Sequence, residues 1–113
     1  MIIKNFEDIS AVPVAMAGAE NVKLREVLTA RENAPNFALR VFDLEPGGFT
    51  PHHDHDYEHE VFVLSGQGEV TEGETVHQLT SGSVVLMMPG VPHQFRNSGD
   101  EMFRFICLIP NQS

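Results

Sequence analysis

The stretch Thr50-Pro51-His52-His53-Asp54-His55-Asp56-Tyr57-Glu58-His59-Glu60 decides how this chain of 113 residues is interpreted. Alternate residues of a strand point to the same face, so His53, His55 and His59 share one parity. A fourth imidazole, His93, follows further along the chain. Neutral imidazole binds Mn, Fe, Co, Ni, Cu and Zn. The stretch therefore predicts a mononuclear metal site formed by these four histidines.

Short apolar runs separated by glycine- and proline-containing breaks fill the rest of the chain, as is typical of an all-β barrel or sandwich. Pro46-Gly47-Gly48 and Pro89-Gly90 are two of the breaks. No window has a convincing helical period and no repeat is visible, so we expect one domain over residues 1–113. The predicted strands are 12–16, 22–29, 37–45, 60–65, 68–72, 74–79, 83–87, 93–97 and 102–109.

The charge of the chain excludes several classes of partner. Its 16 acidic residues against 7 lysines and arginines give a net charge of −9. Nucleic acids and anionic membrane surfaces both require a basic patch. The N-terminus lacks the apolar core of a signal peptide, and the only cysteine, Cys107, excludes an internal disulfide framework. We therefore expect a cytoplasmic protein that binds a small molecule, but neither nucleic acid nor membranes.

The last predicted strand indicates which side chains line a pocket. Strand alternation places Phe103, Phe105 and Cys107 on one face, and Arg104 on the other face, toward solvent. The apolar face should lie inside the barrel. Cys107 could act as a pocket thiol or as a small buried hydrophobe, and both interpretations stay open. The predicted pocket lining is Tyr57, Phe95, Phe103, Phe105 and Cys107.

The histidine stretch and its surroundings resemble the first motif of the cupin superfamily. That motif is Gly, five residues, His-x-His, three or four residues, Glu, six residues, Gly. Here it reads Gly47, then His53-Asp54-His55, then His59 in the glutamate position, then Gly66. The substitution of histidine for glutamate predicts a four-histidine ligand set.

A second cupin motif lies downstream: Gly, five residues, Pro-x-Gly, two residues, His, three residues, Asn. Here it reads Gly82, then Met88-Pro89-Gly90, then His93, then Asn97. Met88 stands in the proline position, but the adjacent Pro89 preserves a stiff turn before the ligand. Both spacings hold without a gap.

The chain more narrowly resembles the small four-histidine, manganese-binding monocupins of thermophilic bacteria. The resemblance implies a double-stranded β-helix, or jelly-roll, barrel over residues 35–110. It also implies one divalent metal per chain, most simply Mn, with Fe, Ni, Cu, Co or Zn as alternatives, and no organic cofactor. A homodimer is expected, in which N-terminal strands in residues 1–34 could be exchanged. The similar segments are Ala34-Pro35-Asn36-Phe37, Glu45-Pro46-Gly47-Gly48, Glu58-His59-Glu60-Val61-Phe62-Val63-Leu64 and Cys107-Leu108-Ile109-Pro110.

Three functions remain open at this point. Four neutral imidazoles leave the full +2 charge on the metal and, in octahedral geometry, two open positions. The first hypothesis is an oxidoreductase of dioxygenase type that uses Mn(II) or Fe(II) on a small apolar or aromatic substrate. The second is a metal-dependent lyase or isomerase, and the third is a non-catalytic binding or sensing module.

Overall fold

The computed structural model describes residues 1–112, and these form an almost entirely β structure. Each strand overlaps one predicted from the sequence. Two short 3-10 helices, Phe6–Asp8 and Ala30–Glu32, accompany the strands. The strands are β1 Val12–Pro13, β2 Glu20–Leu28, β3 Phe37–Phe49, β4 His59–Ser65, β5 Gly68–Glu72, β6 Thr75–Leu79, β7 Val84–Met87, β8 His93–Asn97 and β9 Phe103–Pro110.

All strand pairs are antiparallel, in the order β6-β5-β8-β3-β9-β4-β7, with β2 beside β3 and β1 beside β2. The sheet curls because β3 pairs with β2 and β9 along most of its length and with β8 at its end. The all-β class and the jelly-roll barrel are thereby confirmed. No helix within residues 1–112 is long and apolar enough to cross a membrane.

The segment Pro46-Gly47-Gly48 bends β3 instead of ending it, which differs from the predicted break. Gly47 has φ +80°, in the left-handed region that glycine tolerates best. A Cβ on Gly48 would lie 2.6 Å from the carbonyl oxygen of Asn21, so only glycine admits β2 at this distance. The strand continues to Phe49, which pairs with Arg96 of β8. The bend therefore delivers the histidine stretch to the start of β8.

The interior is centred on the ring of Phe105. Its centroid lies 5.3 Å from that of Phe42, 4.8 Å from Phe95 and 5.2 Å from Phe103. Phe103, Phe105 and Cys107 are each at most 2% exposed, which matches the alternation predicted for this strand. Aromatic contacts at these separations stabilise a core beyond the apolar area that they bury.

The outer face of β3 carries an ion-pair cluster that sequence analysis did not predict. Asp43 Oδ2 lies 2.6 Å from Arg25 Nη1, and Asp43 Oδ1 lies 2.6 Å from Arg104 Nε. Both guanidinium groups stack on the ring of Phe6, at 5.5 and 5.1 Å. Arg104 does point outward as expected, but its side chain is only 22% exposed, because the N-terminal segment covers it. Burial opposes ionisation of Asp43, yet the two arginines outweigh it and lower its pKa.

The N-terminal strands close one side of the barrel. Val12 of β1 pairs with Leu24 of β2, and Val22 of β2 pairs with Leu44 of β3. These pairings lie within one chain, so the exchange of strands between subunits stays a prediction. They bring apolar side chains of the first thirty residues to the cavity described next.

Candidate metal centre

The four histidines come from three segments that backbone hydrogen bonds hold together. His93 begins β8 and His59 begins β4. The backbone groups of His53 and His93 exchange two hydrogen bonds, of 3.1 and 2.9 Å. Gly90 N donates to the His55 carbonyl oxygen at 2.6 Å. His53 and His55 thus lie in a loop attached to the start of β8, so the strand alternation that was used to group them does not describe their local structure.

The imidazole rings converge on one point at the mouth of the barrel. Ring centroids are separated by 4.2 Å for His53 and His55, and by 4.8 Å for His55 and His59. The ring of His93 lies 5.4, 5.5 and 5.0 Å from those of His53, His55 and His59. The ligand atoms of His53, His55 and His93 all lie within 4.8 Å of one another, a group to which His59 does not belong.

The tautomer of His93 is set by its backbone contact. Its Nδ1 lies 2.8 Å from the carbonyl oxygen of Val91, and a carbonyl can only accept a hydrogen bond. Nδ1 therefore carries the proton, which leaves the Nε2 lone pair free. A hydrogen bond from the other ring nitrogen is the usual way in which a metal-binding histidine is oriented.

His59 provides the observation that tests whether a metal fits. Its Nδ1 lies 3.2 Å from Cys107 Sγ, while its Nε2 is buried without a hydrogen-bond partner among residues 1–112. A buried polar atom without a partner is costly. A metal ion between the four rings would accept this lone pair. The donor set, four imidazoles, suits a divalent transition metal, so the residues fit the group that the motifs imply.

His53, His55 and His59 are held in their neutral form. Burial lowers the pKa of His53 to about 4, helped by the nearby His55 and His93. Burial, with His93 and Arg40 as further causes, lowers the pKa of His59 to about 3. The pKa of His55 is lowered as well, again mainly by burial. Protons therefore compete weakly with a metal at neutral pH.

Behind the histidines lies a cavity of about 190 Å³ with a largely apolar lining. Four of the five side chains expected in the pocket line it, together with the four histidines. Its ring-bearing wall consists of Phe42, Phe95 and Phe105, and Tyr57 stacks on His55 with centroids 4.7 Å apart. The members of the predicted lining that reach the cavity are Tyr57, Phe95, Phe105 and Cys107.

Phe103 is the exception and does not line this cavity. It is fully buried, and a Cβ on Gly68 would collide with its ring. Gly68 pairs with Asn97, at the end of β8 opposite to His93. Four residues of a strand span roughly 13 Å. Strand alternation therefore predicted correctly that Phe103 points into the barrel, but Phe103 lies toward the end of β8 that is opposite to His93.

Arg40 is a cavity residue that the sequence analysis missed. Its Nη2 donates to Cys107 Sγ at 3.1 Å, and its guanidinium carbon lies 5.0 Å from the centroid of Phe42. Strand alternation could have identified it, because Arg40 points to the same side of β3 as Phe42 and Leu44. Four further apolar lining residues, also not predicted, come from the N-terminal segment: Val14, Met16, Val22 and Leu24.

Cys107 is a buried contact of His59 and Arg40. Burial raises the pKa of its thiol, although Arg40 acts in the opposite direction. The group is therefore protonated at neutral pH. If Nε2 of His59 bound a metal, Nδ1 would carry the proton and donate to the sulfur. Cys107 would then orient a candidate ligand in addition to packing as a small buried side chain.

Two curated proteins are similar in sequence to more than half of this chain. The chain is 32% identical over 71 residues to the 1-methylthio-D-xylulose 5-phosphate methylsulfurylase of Rhodospirillum rubrum, covering 63% of this chain and 46% of that one. It is 36% identical over 69 residues to the protein SchB of Streptomyces halstedii, covering 60% and 50%. The chain therefore spans about half the length of these two curated relatives.

A solved structure matches nearly the whole chain. The polyketide cyclase RemF of Streptomyces resistomycificus superposes with a TM-score of 0.93 at 27% identity, over 99% of this chain and 80% of that one. The family model described as "Cupin domain" matches residues 40–109, which include all four histidines and Arg40. Both cupin motifs and the barrel that carries them are present, and the chain belongs to the cupin domain family.

Proposed function

We propose that this cupin is a metal-dependent oxidoreductase of dioxygenase type. In this proposal His53, His55, His59 and His93 hold one Mn(II) or Fe(II) ion, and the substrate is a small apolar or aromatic molecule. The observation that carries the proposal is the buried, unpaired Nε2 of His59 beside three other imidazoles, at the edge of an apolar cavity.

The cavity supports a substrate of the size of one ring. Its volume is about 190 Å³, and an engineered apolar cavity of roughly 150 Å³ in another protein holds benzene. Phe42, Phe95 and Phe105 line the cavity with aromatic carbon, which suits an aromatic or alkene-like molecule. Tyr57 stacks on one side of the His55 ring and so lies beside the candidate ligands.

A bound Mn(II) or Fe(II) ion would supply Lewis acidity and the redox chemistry for oxygen activation. The protein supplies the surroundings. Its four ligands are neutral and do not offset the +2 charge, while Val91 and Cys107 fix the rings of His93 and His59. The apolar wall excludes bulk water from the ligand side of the cavity.

A redox-neutral function is the second candidate. The similarity to the polyketide cyclase favours it, because that protein's name denotes a ring closure. Lyase, isomerase or cyclase chemistry requires a general base close to the substrate. Within residues 1–112 the cavity lining includes no aspartate or glutamate, and Tyr57 and Cys107 are its only ionisable groups besides Arg40 and the ligands. This composition favours the oxidative proposal.

Metal analysis combined with turnover under air and without oxygen tests the proposal. We expect about one Mn or Fe per chain, an electron paramagnetic resonance spectrum that changes on addition of oxidant, and product formation that stops under strict anaerobiosis. Turnover that survives anaerobiosis would establish the redox-neutral candidate. Full metal loading with no turnover of aromatic, alkene and organic-acid substrates under either condition would favour the non-catalytic binding or sensing module.

A homodimer is also proposed. Phe62 of β4 and Val84 of β7 are cross-strand neighbours with 47% and 71% of their surface exposed, and Leu86 is 62% exposed. They lie beside the β7 edge of the sheet. Apolar side chains at an exposed edge strand are commonly covered by a partner, and a second copy of the chain is the simplest one.

A further inference from the structure

The cavity is positively charged although the protein as a whole is acidic. The net charge of the chain is −9. Among residues 1–112, however, the side chains that line the cavity include Arg40 and no carboxylate. The four imidazoles next to it are neutral ligands, so a divalent metal would add two further positive charges. No group of the described chain offsets this charge inside the cavity.

Arg40 differs from every other arginine of the chain in having no carboxylate partner. Within residues 1–112 no acidic oxygen lies within 4.0 Å of its guanidinium, and its Nε is buried without a hydrogen-bond partner. Each of the other four arginines has a carboxylate partner. The pairs are Arg25 and Arg104 with Asp43, Arg31 with Glu26, and Arg96 with Glu69.

Two neutral contacts hold the Arg40 guanidinium in position. It lies over the ring of Phe42, with 5.0 Å to the centroid, and its Nη2 donates to Cys107 Sγ at 3.1 Å. The same sulfur lies 3.2 Å from Nδ1 of His59. The guanidinium is therefore separated from a metal ligand by one sulfur atom. It is oriented without being neutralised, which leaves it able to pair with an incoming anion.

We infer that Arg40 binds the carboxylate of a small organic acid, whose apolar body lies against Phe42 and Phe105 and whose other end faces the four histidines. The inference rests on the proposed function for the part of the ligand that faces the metal. A planar guanidinium matches a carboxylate with two parallel hydrogen bonds. A phosphate is disfavoured, because the described residues that line the cavity include no lysine and no second arginine to share its larger charge. The volume of about 190 Å³ admits one ring with its acid group.

Calorimetric titration of the metal-loaded protein with benzoate, phenylacetate and 3-methyl-2-oxobutanoate tests this. Benzamide serves as a neutral isostere of benzoate, and inorganic phosphate and glycerol 3-phosphate as phosphate probes. We expect at least one carboxylate to bind, and Arg40→Met to weaken it about 10- to 100-fold, the usual effect of losing a hydrogen bond to a charged group. Arg40→Lys should weaken it less. Benzamide should bind wild type and Arg40→Met equally, which shows that the cavity remains folded.

Arg96→Met is the matched control. Arg96 also lies 5.0 Å from a phenylalanine ring, that of Phe49, but it is exposed and outside the cavity lining. Its replacement should leave carboxylate binding unchanged. Carboxylate affinity that survives Arg40→Met, the absence of carboxylate binding to wild type, or binding of the phosphate probes alone would each overturn the inference. Failure of the oxidoreductase proposal would instead appear as carboxylate binding that depends on Arg40 without oxygen-dependent turnover.

Discussion

The Nδ1 atom of His59 lies 3.2 Å from the Sγ atom of Cys107, two residues that the register of β4 and β9 brings together. The sulfur also accepts a hydrogen bond from Arg40 at 3.1 Å. The contact restrains the rotation of the His59 ring, whose Nε2 is buried without a hydrogen-bond partner among residues 1–112. Cys107, which is not one of the proposed ligands, thus positions His59, which is.

Cys107→Ala should therefore weaken metal binding although it removes no ligand. Loss of a hydrogen-bond partner of a metal-ligating histidine typically lowers metal affinity about 10- to 100-fold. Competition with a chromogenic chelator measures the affinity. Cys107→Ser keeps an acceptor near His59 and should lose less. Equal affinity of wild type and Cys107→Ala would show that His59 needs no support from the sulfur.

His59→Gln should lower metal content more severely than replacement of His52 or His77, the two histidines that lie outside the motif positions. Among residues 1–112, the change removes the one imidazole whose Nε2 is buried and unpaired. His77→Gln is the matched control, because His77 is exposed on β6 and its ring lies 3.3 Å from Glu72, away from the four histidines. Metal per chain, measured by inductively coupled plasma spectrometry after dialysis, should fall in His59→Gln and stay at the wild-type level in His77→Gln. A fully loaded His59→Gln protein would reduce the site to His53, His55 and His93.

The metal-free protein should lose stability as the pH falls below about 6.5. Burial lowers the pKa of His53 to about 4 and that of His59 to about 3, from 6.5. In the unfolded chain both groups bind protons at a higher pH than in the folded chain. Folding stability therefore rises with pH between these values and 6.5, and is lost progressively as acid protonates the unfolded state.

Urea unfolding of the metal-free protein at several values between about pH 7 and about pH 5 measures this dependence. The double variant His53→Gln, His59→Gln should have a flatter profile over that range. Asp43 does not affect the profile in this range. Its pKa is lowered from 3.8, so the stability that its ion pairs contribute is lost only at more acidic pH. A profile that is equally steep in the double variant would assign the acid sensitivity to other groups.

The four candidate metal ligands could be proposed from the sequence because their spacing in the two cupin motifs is local information. The reason for their convergence could not, since it depends on a loop that backbone hydrogen bonds attach to β8, from His53 to His93. Strand alternation correctly predicted that Phe103 is buried, but it does not indicate how far along the barrel a buried side chain lies from the histidines. Arg40 was missed because the residue of β9 that it contacts, Cys107, lies 67 positions further along the chain. Pairing across such distances is a property of the folded sheet.

Gly66→Ala should destabilise the fold more than Gly82→Ala, although Gly66 ends the first cupin motif, Gly82 begins the second, and both have positive φ. Gly66 has φ +85° and Gly82 has φ +90°, so the backbone strain is comparable. A Cβ on Gly66 would collide with the carbonyl oxygen of Met102, whereas nothing lies within 4 Å of a Cβ on Gly82. We expect an additional loss of about 1–3 kcal/mol for Gly66→Ala in urea unfolding. Equal losses would mean that the turn before β9 can move away.

Leu86→Lys should convert a dimer into a monomer if the outward face of β4 and β7 is the contact between two copies. Leu86 lies on β7 opposite Glu60 and is 62% exposed, and a lysine there would place a charge in the middle of the buried contact. Light scattering after size exclusion at micromolar concentration gives the mass. Val76→Lys is the control, because Val76 is 52% exposed on β6, at the opposite edge of the sheet. A dimer that resists Leu86→Lys would favour exchange of the N-terminal strands, whereas a monomeric wild type would remove the dimer altogether.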